Sequence, residues 1–256
     1  MVHFVGAGPG APDLITVRGQ KLLSEADVII YAGSLVNPEL LKYAKTGCDI
    51  HNSAYMTLEE VLSVMEQAEQ EGKMTVRLHT GDQSLYGTVR EQMDILDANN
   101  VGYESCPGVS ACFGAAASLD IEFTLPGVTQ TLIITRMEGR TPVPEREKIE
   151  ALAAHRSSMA IYLSTGMLKE LSQRLIRGGI DKITPAAIVY KATWPEERAI
   201  VSTVEKLAEA AERSGITKTA VVLVGDIITH AIFERSNLYN PDFSTEFRQV
   251  SKSQIK

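Results

Sequence analysis

Short apolar runs rich in valine and isoleucine recur along the chain, and amphipathic segments lie between them. Runs of this kind are typical of strands that are buried on both faces of a sheet. A further strand is expected directly before Pro107. The other predicted strands are Val2–Val5, Val28–Tyr31, Thr75–Leu78, Leu132–Thr135, Met159–Leu163, Ala187–Tyr190 and Val221–Val224.

The segment from Thr57 to Glu71 has the spacing of an amphipathic helix. Its apolar residues recur every three or four positions, which places them on one helical face. Thr57 can serve as the N-cap, and Glu59 and Glu60 suit the positive end of the helix dipole. Because such helices alternate with the predicted strands, the sequence indicates an α/β fold. Further helices are predicted at Gln20–Ala26, Pro38–Ala44, Val89–Ala98, Arg146–His155, Leu168–Arg177 and Val204–Arg213.

A change in composition at residues 120–127 separates a helix of small residues from the next apolar run. We place a domain boundary there, because boundaries fall in segments that are rich in turn-forming residues. The chain is therefore predicted to form two α/β domains, residues 1–122 and 123–235. Residues 236–256 are polar and lack periodicity, so we expect a mobile C-terminal tail.

Composition narrows the classes of protein to consider. With 256 residues, of which 44% are hydrophobic and 22% charged, the chain can bury a sizeable core. Its net charge of -7 disfavours nucleic acid or an anionic membrane as a partner, because these bind clustered Lys and Arg. Met1–Gly6 has the pattern of a strand rather than of a signal peptide, so we expect a cytoplasmic protein. The three cysteines form no CxxC pair and the five histidines are scattered, so no metal site is predicted.

The first glycine-rich turn, Gly6 to Pro12, directly follows the first predicted strand. Closely spaced glycines allow the backbone to approach a ligand, and the turn partly matches a dinucleotide-binding fingerprint. However, Pro9 and Pro12 remove amide donors that a pyrophosphate would use. The second strand also ends without the acid that would bind a ribose. A nicotinamide-dependent oxidoreductase therefore stays an alternative only.

Two further glycine-bearing loops, residues 80–87 and 107–114, each lie between a predicted strand and a predicted helix. Open α/β sheets bind ligands at the carboxyl ends of their strands, and helix N-termini offer unpaired amides. Each loop alone is an ordinary turn, since Gly-Asp and Pro-Gly are common turn sequences. Their occurrence in this order predicts a ligand site.

The three loops together resemble the tetrapyrrole methylase family. The resemblance rests on Val5-Gly-Ala-Gly-Pro-Gly10, on Gly81-Asp-x-Ser-Leu-Tyr-Gly87 and on Pro107-Gly-Val-Ser-Ala111, and it covers about residues 1 to 235. Within the family, residues 28–36, Met167 and residues 239–243 are similar to precorrin-4 C11-methyltransferases. Ala32 and Gly33 depart from the acidic and polar pair of uroporphyrinogen methyltransferases, which argues against that substrate.

The resemblance implies two α/β domains with the active-site cleft between them, a homodimer, and S-adenosylmethionine as methyl donor. It implies methylation of C11 of precorrin-4 or cobalt-precorrin-4, and whether the substrate contains cobalt stays open. Two alternatives stay open. One is another family methylase, acting at a different macrocycle carbon or on a non-tetrapyrrole such as a diphthine precursor, and the other is a module that senses the donor without turnover. The residues matched to donor contacts are Pro9, Gly81, Asp82, Leu85, Ser110, Ala111, Leu163, Ala192 and Ala220.

Catalytic and substrate-binding residues follow less directly from the sequence. Methyl transfer needs alignment more than acid–base groups, and a base for proton loss could be Tyr86, His79 or His51. The carboxylates of a precorrin call for charge-assisted donors, for which Arg77, Arg90 and Lys191 are considered because they lie near the loops. The selected substrate-binding candidates are Gly8, Gly10, Ser34, Arg18 and Arg136.

Overall fold

The computed structural model describes residues 1–139, 141–229 and 232–249. They divide into two compact units. The first unit comprises residues 1–119, 189–199 and 218–221, and the second comprises residues 120–188, 200–217 and the described residues from Val222 onward. Part of the predicted C-terminal tail, residues 250–256, lies outside the described residues.

The α/β class predicted from the sequence is confirmed, and the first sheet is built from the N-terminal strands. Its order is β3-β2-β4-β1-β5, and all four neighbouring pairs are parallel. The strands are β1 (Val2–Gly6), β2 (Val28–Tyr31), β3 (Asp49–Asn52), β4 (Thr75–His79) and β5 (Tyr103–Cys106), and the helices are α1 (Val17–Glu25), α2 (Leu58–Gln70), α3 (Arg90–Ala98) and α4 (Ala111–Ser118).

Both faces of this sheet are covered, which explains the continuous apolar runs of β1, β2 and β4. One apolar cluster includes Phe4 together with Met65 of α2 and Leu96 of α3. The other includes Leu78 together with Leu23 of α1. The side chains of successive strand residues therefore enter different cores.

Local capping sets where the helices begin. The Thr57 hydroxyl accepts a hydrogen bond from the Glu60 N–H, and the Glu60 carboxylate accepts one from the Thr57 N–H, which forms a capping box. The Thr16 hydroxyl accepts from the Gly19 N–H at 3.1 Å. Helix α1 therefore begins at Val17, three residues before the predicted start.

The second sheet has the order β6-β7-β10-β8-β9, with β6 parallel and β10 antiparallel to β7. No helix among the described residues is long and apolar enough to span a membrane. The strands are β6 (Leu132–Arg136), β7 (Ser158–Tyr162), β8 (Pro185–Tyr190), β9 (Arg198–Thr203) and β10 (Ala220–Val224), and the helices are α5 (Ile149–Ala153), α6 (Leu168–Arg177) and α7 (Leu207–Arg213).

Short 3-10 helices connect many of these elements. The predicted helix at Pro38–Ala44 is one of them, and the predicted helices at Arg146–His155 and Val204–Arg213 each contain a 3-10 turn before a shorter α-helix. The 3-10 helices are Pro12–Leu14, Gly33–Leu35, Pro38–Tyr43, Ser53–Tyr55, Glu145–Glu147, Thr165–Met167, Val204–Lys206, Asp226–Thr229 and Asn237–Tyr239.

The strand order of the first sheet places the three glycine-bearing loops side by side. Strands β4, β1 and β5 are adjacent, and each loop follows the carboxyl end of one of them. Because the strands are parallel, their carboxyl ends lie at the same edge of the sheet. The loops therefore meet there.

Candidate functional site

The glycine-bearing loops pack on one another through their backbones. Gly8 and Gly81 exchange two hydrogen bonds, with N···O distances of 3.1 and 2.9 Å. A Cβ at Gly6 would lie 2.6 Å from the Gly108 backbone, and a Cβ at Gly108 would overlap the Gly81 carbonyl oxygen. A side chain at either position would push the loops apart, so these glycines are required by close approach.

Asp82 fastens the second loop to the third. One carboxylate oxygen accepts from the Gly108 N–H at 2.8 Å, and the other accepts from the Ser84 N–H at 2.9 Å and from the Ser84 hydroxyl. Burial would raise the pKa of the Asp82 carboxyl, but the hydrogen bonds from Ser84 and Gly108 hold it below its usual value. Asp82 is thus ionised at neutral pH and committed to loop structure.

The second loop and the residue that follows it contain strained backbone. Tyr86 and Thr88 have φ angles of 56° and 53°, in the left-handed region that residues with a Cβ rarely adopt. Gly81 has φ of 60°, and a Cβ there would lie 3.5 Å from both the Ser110 Cα and the Ala111 N. Gly81 therefore lies against the start of α4, which brings three of the residues matched to donor contacts together.

A distant segment, residues 189–199, joins the same compact unit and contacts the first loop. The indole N–H of Trp194 donates to the Pro9 carbonyl oxygen at 3.1 Å, and the Ala11 N–H donates to the Thr193 hydroxyl at 2.9 Å. Pro9 also packs on α4, since a Cβ at Gly114 would lie 2.8 Å from the Pro9 Cβ. Trp194 was missed in the sequence, although it is the single tryptophan of the chain.

Ala192 and Ala220, both matched to donor contacts, lie beside strained residues. Lys191 and Thr193 have φ angles of 46° and 68°, and Thr219 has φ of 58°. The Lys191 N–H donates to the Thr219 carbonyl oxygen at 3.0 Å, which links the two segments. The first unit therefore connects these positions through backbone bonds and through the side chains of Thr193 and Trp194.

The remaining residues matched to donor contacts are Leu85 and Leu163. Leu85 lies in the second loop, where its N–H donates to the Asp82 carbonyl oxygen at 3.2 Å. Leu163 belongs to the second unit, directly after β7. Its φ angle is 53° and the residue is 66% exposed, which leaves it accessible to a ligand.

The three candidate bases lie in different environments. His79 is buried in β4 against the Phe4 ring, and its Nε2 has no hydrogen-bond partner among the described residues. Burial, with a smaller effect of Arg77, lowers the pKa of His79 to about 3, so it is neutral and a poor proton acceptor at pH 7. His51 lies on β3, where its Nε2 forms a hydrogen bond with the Asp49 carboxylate at 2.9 Å. Tyr86 lies on the second loop and is 42% exposed.

Two of the basic residues near the loops form hydrogen bonds or ion pairs within the protein. Arg77 is buried, and it donates to the Ile30 carbonyl oxygen at 3.1 Å and to the Gln92 side chain at 3.3 Å. Its placement differs from the exposed position expected of a substrate-binding arginine, because alternate residues of β4 face the layer covered by α2 and α3. Arg90 forms ion pairs along α3 with Asp94 and Asp97.

The selected basic candidates are Arg18 and Arg136. Arg18 is exposed and lines a groove between α1 and β5. Arg136 folds back on the loop that follows β6, where it donates to the carbonyl oxygens of Met137, Thr141 and Pro142 at 3.0 to 3.1 Å. Its guanidinium therefore caps this loop.

The small substrate-binding candidates lie at the edge of the first sheet. Gly8 has φ of 80° and forms the bridge to Gly81. The Gly10 carbonyl oxygen accepts from the Asn37 side chain at 2.9 Å, and Ser34 is exposed in the 3-10 helix after β2.

Lys191, the third basic residue near the loops, forms an ion pair within its own segment. Its Nζ lies 3.4 Å from the Glu196 carboxylate and also over the Trp194 ring.

The site lacks the acid of a dinucleotide-binding fold. Asp27 precedes β2, and its carboxylate accepts from the Met74 N–H at 2.8 Å and from the Lys45 ammonium at 2.6 Å. It therefore lies at the amino end of the strand, opposite to the edge that carries the loops. No set of His, Cys, Asp and Glu side chains within the described ranges has the arrangement of a metal site.

Comparisons with known proteins agree with this geometry. The model of the family described as Tetrapyrrole (Corrin/Porphyrin) Methylases matches residues 1–208. A cobalt-precorrin-4 C(11)-methyltransferase from Methanocaldococcus jannaschii is 50% identical over 98% of this chain and 97% of its own length. The solved structure of a cobalamin biosynthetic enzyme, cobalt precorrin-4 methyltransferase, is 46% identical with a TM-score of 0.87, covering 89% of this chain and 95% of that one.

A more distant solved structure contains a ligand. Uroporphyrin-III C-methyltransferase from Thermus thermophilus, complexed with S-adenosylhomocysteine, is 25% identical to this chain. Its TM-score is 0.72, and the match covers 89% of this chain and 92% of that one. The shared fold thus extends to a protein with a bound product of methyl transfer.

Proposed function

Because the chain belongs to the tetrapyrrole (corrin/porphyrin) methylase family, we propose that it methylates C11 of precorrin-4 or cobalt-precorrin-4 in cobalamin biosynthesis, with S-adenosylmethionine as methyl donor. The observation that carries this proposal is the packing of three glycine-bearing loops at one sheet edge, joined by the Gly8–Gly81 bridge and by Asp82. The whole-length identity to a cobalt-precorrin-4 C(11)-methyltransferase supports the choice of substrate.

The loop chemistry fits S-adenosylmethionine. A sulfonium requires a site without a nucleophilic side chain, and the loops present mainly backbone, with an aspartate that already accepts hydrogen bonds from Ser84 and Gly108. Backbone N–H and C=O groups suit the directional hydrogen bonds of an adenine edge, a ribose and an amino-acid end. The residues that would hold the donor are Pro9, Gly81, Asp82, Leu85, Ser110, Ala111, Leu163, Ala192 and Ala220.

Catalysis by these residues is mainly a matter of orientation. The donor supplies a methyl group on a positively charged sulfur. In-line transfer to carbon depends on alignment at near-contact distance, which a rigid backbone frame can supply. The close packing of Gly6, Gly81 and Gly108 gives such a frame. Among the candidates for proton removal, His79 is disfavoured because it is buried and its pKa is lowered, whereas Tyr86 is exposed on the second loop.

The proposal is tested by binding of S-adenosylhomocysteine, measured by calorimetry for the wild type and for Gly81→Val. Valine at a φ of 60° is strained and adds bulk next to Ser110 and Ala111, so we expect at least about a tenfold loss of affinity. Gly47→Val is the matched control, because Gly47 also has positive φ but has open space around it. A wild type that does not bind would refute the proposal.

Substrate identity requires a separate assay. Purified protein is incubated with labelled donor and with precorrin-4 or cobalt-precorrin-4, and the position of the new methyl group is determined. We expect transfer to C11. The substrate that reacts faster, precorrin-4 or cobalt-precorrin-4, would show whether the preferred macrocycle already contains cobalt. Transfer to another carbon would place the chain elsewhere within the family. The homodimer and the cytoplasmic location stay predictions, of which sedimentation analysis tests the first.

A further inference from the structure

Trp194 joins two stretches of the first unit that are far apart in the sequence. Its indole N–H bonds the Pro9 carbonyl oxygen at 3.1 Å across 185 residues. A Cβ at Gly10 would overlap the indole ring and would also lie 2.8 Å from the Ala192 carbonyl oxygen. The first glycine turn is thus shaped to accept the indole, and Gly10 is the residue that makes room for it.

We propose that Trp194 is a positioning residue for the methyl donor, which holds the Pro9 and Gly10 backbone in place against the segment that contains Ala192. This role rests on the proposed function, because Pro9 and Ala192 are assigned to donor contacts by the family resemblance. Trp194 itself needs no contact with the donor. It acts through the two backbone stretches that it joins.

Glu197, in the same segment as Trp194, links this segment to α4. The Glu197 carboxylate accepts hydrogen bonds from the Thr193 N–H and from the Ser118 hydroxyl, the latter at 2.6 Å. Ser118 is the last residue of α4, the helix that begins at Ala111. Thr193 in turn accepts from the Ala11 N–H at 2.9 Å. The first loop, α4 and the Trp194 segment are therefore tied into one hydrogen-bonded frame.

The backbone next to Trp194 has a conformation that such a frame must maintain. Lys191 and Thr193 are in the left-handed region, which is unfavourable for residues with a Cβ and persists only when surrounding contacts hold it. The Lys191 ammonium lies 4.8 Å from the centroid of the Trp194 ring, a cation–π contact. Removal of the indole would abolish this contact, the bond to Pro9 and the packing on Gly10 together.

Two variants separate the parts of this role. Trp194→Phe keeps an aromatic ring but removes the N–H donor, so S-adenosylhomocysteine should bind about fivefold more weakly, the equivalent of one hydrogen bond. Trp194→Ala removes the ring as well, so its affinity for S-adenosylhomocysteine should fall by more than about tenfold. Tyr190→Phe is the matched control, because Tyr190 lies on the same segment but its ring contacts Lys191 and Arg198 instead of the first loop. Its affinity should stay within about twofold of the wild type.

Steady-state kinetics distinguish positioning from a general loss of folded protein. A positioning role predicts a higher KM for the donor, because the backbone that binds the donor is held less firmly, and any loss of alignment lowers kcat in addition. A merely structural role predicts a lower kcat with unchanged KM, because fewer molecules are active. Intrinsic fluorescence gives a third readout, since all tryptophan emission comes from Trp194.

The outcomes have separate meanings. Weaker donor binding by both Trp194 variants, a raised KM and a change of wild-type emission on saturation would support the positioning role. If the wild type binds S-adenosylhomocysteine but the Trp194 variants bind equally well, or only kcat falls, the role is overturned while the proposed function stands. Absence of wild-type binding would overturn the proposed function and this role with it.

Discussion

Replacement of Asp82 by alanine should both destabilise the protein and weaken donor binding. The carboxylate accepts three hydrogen bonds, from the N–H groups of Gly108 and Ser84 and from the Ser84 hydroxyl. Ser84 is exposed, so water can replace the carboxylate there at little cost. The Gly108 N–H is partly buried, and the loss of its charged acceptor costs about 1.5–3 kcal/mol. We therefore expect a decrease of about 1.5–3 kcal/mol in the free energy of unfolding.

The effect on binding follows from the place of Asp82 between two loops. Without the carboxylate, the third loop is no longer fastened to the second, and Ser110 and Ala111 lose their fixed position relative to Gly81. We expect S-adenosylhomocysteine to bind at least about tenfold more weakly, which corresponds to about 1.4 kcal/mol. Asp82→Asn keeps the shape of the side chain but turns an amide N–H₂ toward a backbone donor, so it should recover only part of the loss.

The assays are urea unfolding, followed by circular dichroism, and calorimetric titration with S-adenosylhomocysteine. Asp13→Ala is the matched control, because it removes an exposed aspartate beside the first loop. That variant should stay within about 0.5 kcal/mol of the wild type. An Asp82→Ala protein with wild-type stability and wild-type affinity would show that the carboxylate does not hold the loops together.

Two further predictions concern buried ionisable groups. Burial lowers the pKa of His79 to about 3. Below about pH 6.5 the unfolded chain therefore binds a proton at this residue that the folded protein does not bind. The free energy of unfolding consequently decreases as the pH is lowered from 6.5 toward 3. Urea unfolding measures how much the free energy of unfolding decreases between pH 7 and pH 5. This decrease should be about 2 kcal/mol smaller for His79→Phe than for the wild type, and equal decreases would contradict the lowered pKa of His79. Arg174→Met leaves Glu138 without its guanidinium partner and leaves Glu150 with Arg177 alone. Because both carboxylates are about a third exposed, we expect a loss of about 1–2 kcal/mol in the free energy of unfolding at pH 7. Hydrogen bonds from Arg174 lower the pKa of Glu150 to about 2. The stabilisation by this ion pair is therefore present above about pH 4.5 and is lost as the pH falls toward 2. Thermal melts in which Arg174→Met has the same acid dependence as the wild type would refute this prediction.

The parts of the fold that the sequence predicted are those in which local pattern and burial agree. The seven strands predicted from apolar runs all form, and the strand expected before Pro107 is β5. Two strands, β3 and β9, were missed. Both are at a sheet edge, and most of their residues are exposed or only partly buried. An edge strand needs no continuous apolar run, so its sequence carries little signal.

The candidate site was predicted only in part. Motif spacing identified the three glycine-bearing loops, and the parallel strand order explains why they meet. The contacts that hold them could not be predicted, because Asp82 bonds a residue 26 positions away and Trp194 bonds one 185 positions away. Arg77 and His79 became candidates because they lie next to the second loop in the sequence. Both are buried, as the prediction of a strand covered on both faces implies, so nearness in sequence did not place them at the loop surface.

Backbone strain adds information that sequence patterns do not contain. Of the described residues other than glycine, nine have positive φ, and Asn100 and Asp120 are of types that tolerate it in ordinary turns. Three others are threonines, whose branched side chains make the left-handed region costly. They are Thr88, Thr193 and Thr219, and they adjoin the second loop, Ala192 and Ala220. Strain of this kind is retained where surrounding contacts and function require it. These threonines lie next to positions that the resemblance matches to donor contacts, so their strain is consistent with the proposed site.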